Sequence, residues 1–213
     1  EHFGSFIDLL KRISQLKVNS RNLEILIKLD FFKEFGNIGY LLKCRDIFDV
    51  WYGKTQVKKE KALEFGVDFD IIRECCIKET AKTFTGLNSE KLIRLLIKNV
   101  PDIETTLYQK IAYQMDNLGY VDIVDKKYKG MCVAIDINVD HAPKVKLYAL
   151  ANGNTIPVKI TKKIFKDNPI AKGDIVKVLR QFQKPKVKYV GNGQYEETDE
   201  NEWWIWDYSI VKQ

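Results

Sequence analysis

Lysines alternate with apolar residues along Lys144-Val-Lys-Leu-Tyr-Ala-Leu150 and return in Thr155-Ile-Pro-Val-Lys-Ile160. Read as strands, a period of two places Lys144, Lys146 and Tyr148 on one face and Val145, Leu147 and Ala149 on the other. The turn Ala151-Asn-Gly-Asn154 holds Asn152-Gly153, a dipeptide that supplies positive φ angles for a tight antiparallel hairpin. A sheet face of lysines with an aromatic neutralises phosphates and stacks unpaired bases. Lys159, and Lys177 within Ile175-Val-Lys-Val-Leu179, are the matching cations on neighbouring strands. A second aromatic source is Trp203-Trp-Ile-Trp-Asp-Tyr208. On a strand, Trp204, Trp206 and Tyr208 point one way, and Trp203, Ile205 and Asp207 the other. One set is expected to fill a core. Trp204 and Trp206 are the candidates for base stacking, worth ~1–3 kcal/mol per base.

Catalytic and metal chemistry find little support. Asp136-Ile-Asn-Val-Asp140 imitates the opening of a calcium loop, but the required Gly is missing and Leu147 stands at the twelfth position. Asp68-Phe-Asp70 imitates a magnesium-holding pair, yet a third carboxylate and a phosphate-gripping loop are not identifiable. A helix-capping role suits those aspartates better. Cys44, Cys75, Cys76 and Cys132 make no C-x-x-C pair, and His2 and His141 are the only histidines. Zinc ligands are therefore scarce. The reading is a non-catalytic piece that holds no cofactor of its own.

At 213 residues, with 45% hydrophobic and 30% charged residues, the composition is that of a globular chain. No apolar run approaches the ~20 residues that cross a bilayer, so no membrane partner is expected. The opening Glu1-His-Phe-Gly-Ser-Phe lacks a basic segment followed by an apolar one, and it lacks Met. A reducing cytoplasm and an excised part of a longer polypeptide are the expectations. Net charge is +6. Residues 126–190 carry 15 Lys and Arg against 4 acids, and Glu196-Glu-Thr-Asp-Glu-Asn-Glu202 then supplies five acids. This asymmetry is the footprint of a polyanion binder.

Residues 1–118 read as helical and 119–213 as β-rich, an α+β chain. Ser5 with Asp8 resembles a capping box ahead of Phe6, Leu9, Leu10, Ile13 and Leu16. Asn19-Ser20 opens a second helix ending near Asp30, and the short Leu16-Lys-Val-Asn19 link predicts an αα-hairpin. A third helix is expected to about Tyr52, helical segments over 68–84, and a further helix after Asn88. Asp102 is read as the cap of the last, which Gly119 ends. Strands are expected at 120–125, 130–138, 144–150, 155–160, 174–183 and 203–211, with a short helix over 161–167. Gly191-Asn-Gly193 falls in the long loop before the last strand. With the first two runs fused, the order β-β-β-α-β-β is that of the five-stranded OB barrel, a frequent oligonucleotide binder.

Two segments strengthen that assignment. Phe6-Ile-Asp-Leu-Leu-Lys-Arg12 with Val18-Asn-Ser-Arg-Asn-Leu-Glu-Ile-Leu-Ile-Lys28, and Gln114-Met-Asp-Asn-Leu-Gly-Tyr120, resemble stretches of the bacterial DNA polymerase III alpha subunit family, the C-family replicative polymerases. Leu29-Asp-Phe-Phe32 departs from that family's A-G-A-F. The resemblance implies a C-terminal piece of a DNA-directed DNA polymerase: a helix-hairpin-helix-type domain over 1–118 and an OB-like domain over 119–213. It implies catalytic aspartates and Mg²⁺ in the parent, upstream of this chain. The implied role is to hold primed duplex and single-stranded DNA template, with other replisome subunits as further partners. A phosphate grip at the first hairpin would fall to Lys17, Asn19 and Arg21, since the link there lacks glycine. Gln114-Met-Asp-Asn-Leu118 is a poor clamp-binding peptide, so the sliding clamp is not an expected partner. Two alternatives stay open: a module docking other replisome subunits or the polymerase body, and an RNA-binding OB protein.

Overall fold

The computed structural model describes residues 3–140 and 142–211, so His2 and His141 lie outside the described residues. The chain divides into two compact units, Glu1–Thr105 and Thr106–Gln213. That division falls one helix before the boundary drawn at 118.

In the first unit the Ser5 side chain caps helix α1 (Phe6–Gln15) by accepting from the Asp8 N–H at 3.3 Å. Asn19 caps α2 (Ser20–Lys28) by accepting from the Arg21 N–H at 2.8 Å. Helix α3 (Ile38–Trp51) buries Ile38, Leu41, Cys44, Phe48 and Trp51, a stripe spaced at three and four. Both α1 and α2 pack on α3, and so does α6 (Ser89–Lys98) with Leu92, Ile93 and Ile97 buried. The expected hairpin of α1 against α2 is thus corrected: each helix turns its apolar stripe to α3 rather than to the other. Gly36, at φ 144°, is needed where the chain enters α3, because a Cβ there would lie 2.6 Å from the Tyr40 ring.

This unit is not all-helical. Strands β1 (Gln56–Lys58), β2 (Lys78–Glu79) and β3 (Thr83–Thr85) form a small antiparallel sheet ordered β1-β3-β2. Between them lie the short helices α4 (Lys59–Glu64) and α5 (Phe69–Arg73). Of the helical segments expected over 68–84 only α5 forms; the β-branched and aromatic Thr83-Phe-Thr85 is instead a strand that pairs with both neighbours and buries Phe84. Asp68 caps α5 by accepting from the Asp70 N–H at 2.9 Å. Asp102 does not cap the last helix. It accepts from the Asn37 N–H at 2.9 Å and from the Asn37 side chain at 3.0 Å.

The second unit begins with α7 (Leu107–Leu118), opened by a Thr106/Gln109 capping box and closed by left-handed Gly119. Residues 120–125 are not a strand, although Val121 is buried. Strands β4 (Met131–Asn138), β5 (Lys144–Ala149) and β6 (Thr155–Ile160) follow, then α8 (Lys162–Asp167) and two long strands, β7 (Ile175–Gly191) and β8 (Gln194–Ile210). Pairing runs in the cyclic order β4-β5-β6-β8-β7 and closes a barrel. Two seams are short: β4–β7 from Met131↔Lys177 to Val133↔Ile175, and the parallel β6–β8 from Val158↔Trp203 to Ile160↔Ile205.

Alternation along these strands makes two cores. Ala134, Val145, Leu147, Val158, Ile160, Val176, Ile205 and Tyr208 fill the interior. On the outer surface Val133, Tyr148, Leu150 and Ile175 pack with Ile111 of α7 and Val121. Beyond Trp203, β7 and β8 continue together as a ribbon that neither β4 nor β6 joins. Its tip is Asn192-Gly193 at φ 49° and 76°, both positive as a tight hairpin turn requires. The long loop read over this region is therefore strand. Cross-strand Lys188↔Glu196, Tyr189↔Tyr195 and Lys184↔Glu202 explain why polar residues pair there. The expected architecture, an all-helical first part and a plain five-stranded OB-like barrel, is corrected in both halves. The first half contains a sheet, and in the second the two longest strands leave the barrel.

Candidate nucleic-acid interface

Strand β5 keeps its alternation at one end only. Lys144 and Lys146 are exposed while Val145 and Leu147 are buried. Tyr148 points outward with the lysines, yet it is 8% exposed because α7 and the 121–124 stretch cover that end of the sheet. It is a core residue, and its assignment as a stacking platform is corrected. Burial pushes its phenol pKa up. The hairpin turn departs from expectation in detail: only Gly153 has positive φ, 74°, and the Asn152 side chain accepts from the Asn154 N–H at 3.0 Å. Leu150 is buried at the start of that turn, so the connection is wider than two residues.

Pairing register decides which residues join Lys144 and Lys146 on the open part of the outer face. Lys144 lies opposite Lys159 on β6, and Lys159 lies beside Trp204 on β8. Trp204 in turn lies opposite Phe182 on β7. Phe182 and Trp206 are 5.4 Å apart between ring centroids, and Trp206 is 62% exposed. Lys184 Nζ stands 4.2 Å from the Trp204 ring centroid and 5.6 Å from that of Phe182. Lys159 Nζ stands 5.6 Å from the Trp204 ring. These cation–π contacts hold the lysines flat along an aromatic strip.

Glu202 anchors the strip. Its carboxylate takes Lys159 Nζ at 2.6 and 2.9 Å and accepts from the Trp204 indole N–H at 2.8 Å. Both charges are well covered, with the Lys159 side chain 25% and the Glu202 side chain 14% exposed. Where the ribbon diverges from β6, an open groove of about 390 Å³ is lined by Lys144, Pro157, Lys159, Lys186, Glu202 and Trp203. Lys186 is paired with Glu200, which raises the lysine pKa and lowers that of the carboxylate.

The strand reading of Trp203–Tyr208 holds as far as Trp206. Trp203 and Ile205 face the interior, whereas register shifts opposite Val178, Arg180 and Gln181 turn Tyr208 inward too. The Tyr208 hydroxyl donates to the Asn168 carbonyl. Lys177 is exposed on β7, opposite Ser209 and Met131, at the seam that closes the barrel and away from the groove. Phe182, Lys184, Lys186 and Glu202 went unseen in the sequence because their placement depends on a register that no local pattern specifies.

In the first unit Lys17, Asn19 and Arg21 are all exposed at the α1–α2 link. Lys17 takes the left-handed conformation at φ 53°. The Asn19 side chain fills the Arg21 N–H, a backbone donor that an anion at this helix end would use. Gln114 is likewise engaged, accepting from the Asp122 N–H at 3.1 Å and donating to the Asp122 carboxylate. Among the described residues no group of three His, Cys, Asp or Glu is placed to hold a metal ion, and no helix is long and apolar enough to cross a membrane.

No protein-family model matches the chain, and no curated protein and no solved structure matches it. The resemblance to replicative polymerases is corrected accordingly: its first segment lies in helices that pack on α3 instead of forming a hairpin, and the polymerase parentage has no support.

Proposed function

We propose that the second unit binds single-stranded nucleic acid across the open part of its outer face. The observation that carries this reading is the strip Phe182–Trp204–Trp206 with Lys159 and Lys184 laid along it, opening onto a groove that Lys144 and Lys186 also line. Unpaired bases offer π-faces to the exposed indole of Trp206, and phosphates spaced along the strand reach the lysines. A duplex hides its base faces, so single strands are the preferred ligand. The acids of β8 lie beside the lysines of β7, with Glu202 opposite Lys184, Glu196 opposite Lys188 and Glu200 paired with Lys186, which leaves Lys144 and Lys146, among the described residues, as the uncompensated cations of the face.

The test is fluorescence anisotropy with labelled single-stranded DNA, matched RNA and matched duplex. Single strands are expected to bind with a log K against log salt slope near −3 if ~4 phosphates are neutralised. Lys144→Ala with Lys146→Ala should flatten that slope by ~1.4 and leave the fold intact. Absence of binding at low salt, or equal affinity for duplex, overturns the reading.

A second reading, a protein-docking module, is favoured by the ribbon, where Val187, Tyr189 and Tyr195 are more than half exposed. Removing the ribbon tip would then abolish partner capture without changing oligonucleotide affinity.

A further inference from the structure

We infer that Glu202 is a built-in competitor for the nucleic-acid phosphate, so that the ligand must displace it from Lys159 and Trp204 before the groove can close on a backbone. The inference rests on the proposed single-strand binding and concerns what regulates it. Glu202 is the last acid of the Glu196–Glu202 run, at the point where β8 leaves the ribbon and enters the barrel. Its two oxygens satisfy the Lys159 ammonium and the Trp204 indole N–H together. Those are a cation and a neutral donor beside a stacking ring, the set that a phosphate diester beside an unpaired base would use. Lys159 thus differs from Lys144 and Lys146, which among the described residues enter no ion pair.

The arrangement has two consequences. A ligand that reaches Lys159 must break a largely covered ion pair, and a carboxylate set free costs more there than on an open surface. Weak or sparse anions therefore fail, while a strand that also stacks on Trp206 and engages Lys144 succeeds. In addition, a strand that takes Lys159 replaces an existing counter-charge, so Lys159, like Lys186 beside Glu200, adds less to the salt dependence of the native chain than Lys144 does.

Glu202→Gln tests this, since the amide keeps an acceptor for the indole N–H and loses the charge. It should bind single-stranded DNA about tenfold more tightly, the scale of one charge-assisted contact no longer broken. Its salt slope should steepen by ~0.7. Glu197→Gln removes the same charge from the same strand away from Lys159 and should change affinity less than threefold, the part owed to net charge alone. Thermal melts of both variants check that the fold is retained. Equal gains from Glu202→Gln and Glu197→Gln, or no gain from either while the native chain binds, overturn the competitor role. Failure of the native chain and both variants to bind overturns the underlying reading instead.

Discussion

Strands β7 and β8 belong to two structures, and the chemistry of their residues changes where they pass from one to the other. In the barrel they contribute Val176, Ile205 and Tyr208, each no more than 6% exposed, to the interior. In the ribbon, residues 184–201 include no buried side chain. There the strands are joined by backbone pairing, by Lys186–Glu200 and by Tyr189 against Tyr195 at 5.3 Å. Burial fixes the register of the first half, because a one-residue slip would turn the interior residues to solvent. Charge order and the Asn192-Gly193 turn fix the second. A two-stranded ribbon held this way is marginal in isolation, so it is the barrel that keeps it formed.

The largest expected effect separates the halves by stability. Ile205→Ala, at 1% exposure, should destabilise the second unit by ~2–5 kcal/mol. Val187→Ala on the ribbon should cost within ~0.5 kcal/mol. Urea unfolding followed by fluorescence reads both, since Trp203, Trp204 and Trp206 all belong to this unit. Equal losses would mean that the ribbon's apolar side is covered in solution, and the contrast between the halves would fail.

The next effect separates the outer face in the same manner. Trp206→Ala should weaken single-strand binding by ~1–3 kcal/mol, with little loss of stability from a residue 62% exposed. Tyr148→Phe should leave affinity unchanged, because that ring lies under α7. A loss of binding from Tyr148→Phe would return the phenol to the site and contradict its burial.

The contrast also explains what could be read ahead of the structure. Strands at Met131–Asn138, Lys144–Ala149 and Thr155–Ile160 were legible because apolar alternation is written where one face is buried. Helix starts at Ser5, Asn19 and Asn88 were legible from cap chemistry. The ribbon was not: Lys184–Tyr189 alternates lysines with Pro185, Val187 and Tyr189, but its partner Glu196-Glu-Thr-Asp-Glu-Asn-Glu202 carries no apolar residue and reads as a loop. Tyr148 was misplaced for a different reason: its direction was right, but a strand pattern carries no information about a helix lying on the same face. Lys144 and Lys146 were found directly, whereas Glu202 and Phe182 reach them only through the β6–β8 and β7–β8 registers.

The smallest effect concerns the ion pair that ties the ribbon's strands. The Lys186 ammonium holds the Glu200 carboxyl below its usual pKa, and Glu200 raises that of Lys186. A carboxyl lowered in the folded state contributes order above its unfolded value, ~4.3, and the contribution fades as pH falls through the depressed value. A lysine raised in the folded state contributes below ~10.4 and loses its contribution as pH rises past the higher folded value. The ribbon should therefore be best ordered between those limits, and less so at high salt because both groups face water. Ring resonances of Tyr189 and Tyr195 should drift toward unstructured positions below about pH 4, while the Ile205 methyl signals stay fixed. Glu200→Gln should remove that acid step and leave the barrel signals unchanged. If the tyrosine and Ile205 signals move together, and Glu200→Gln alters neither, ribbon and barrel melt as one unit and the division between them is only geometric.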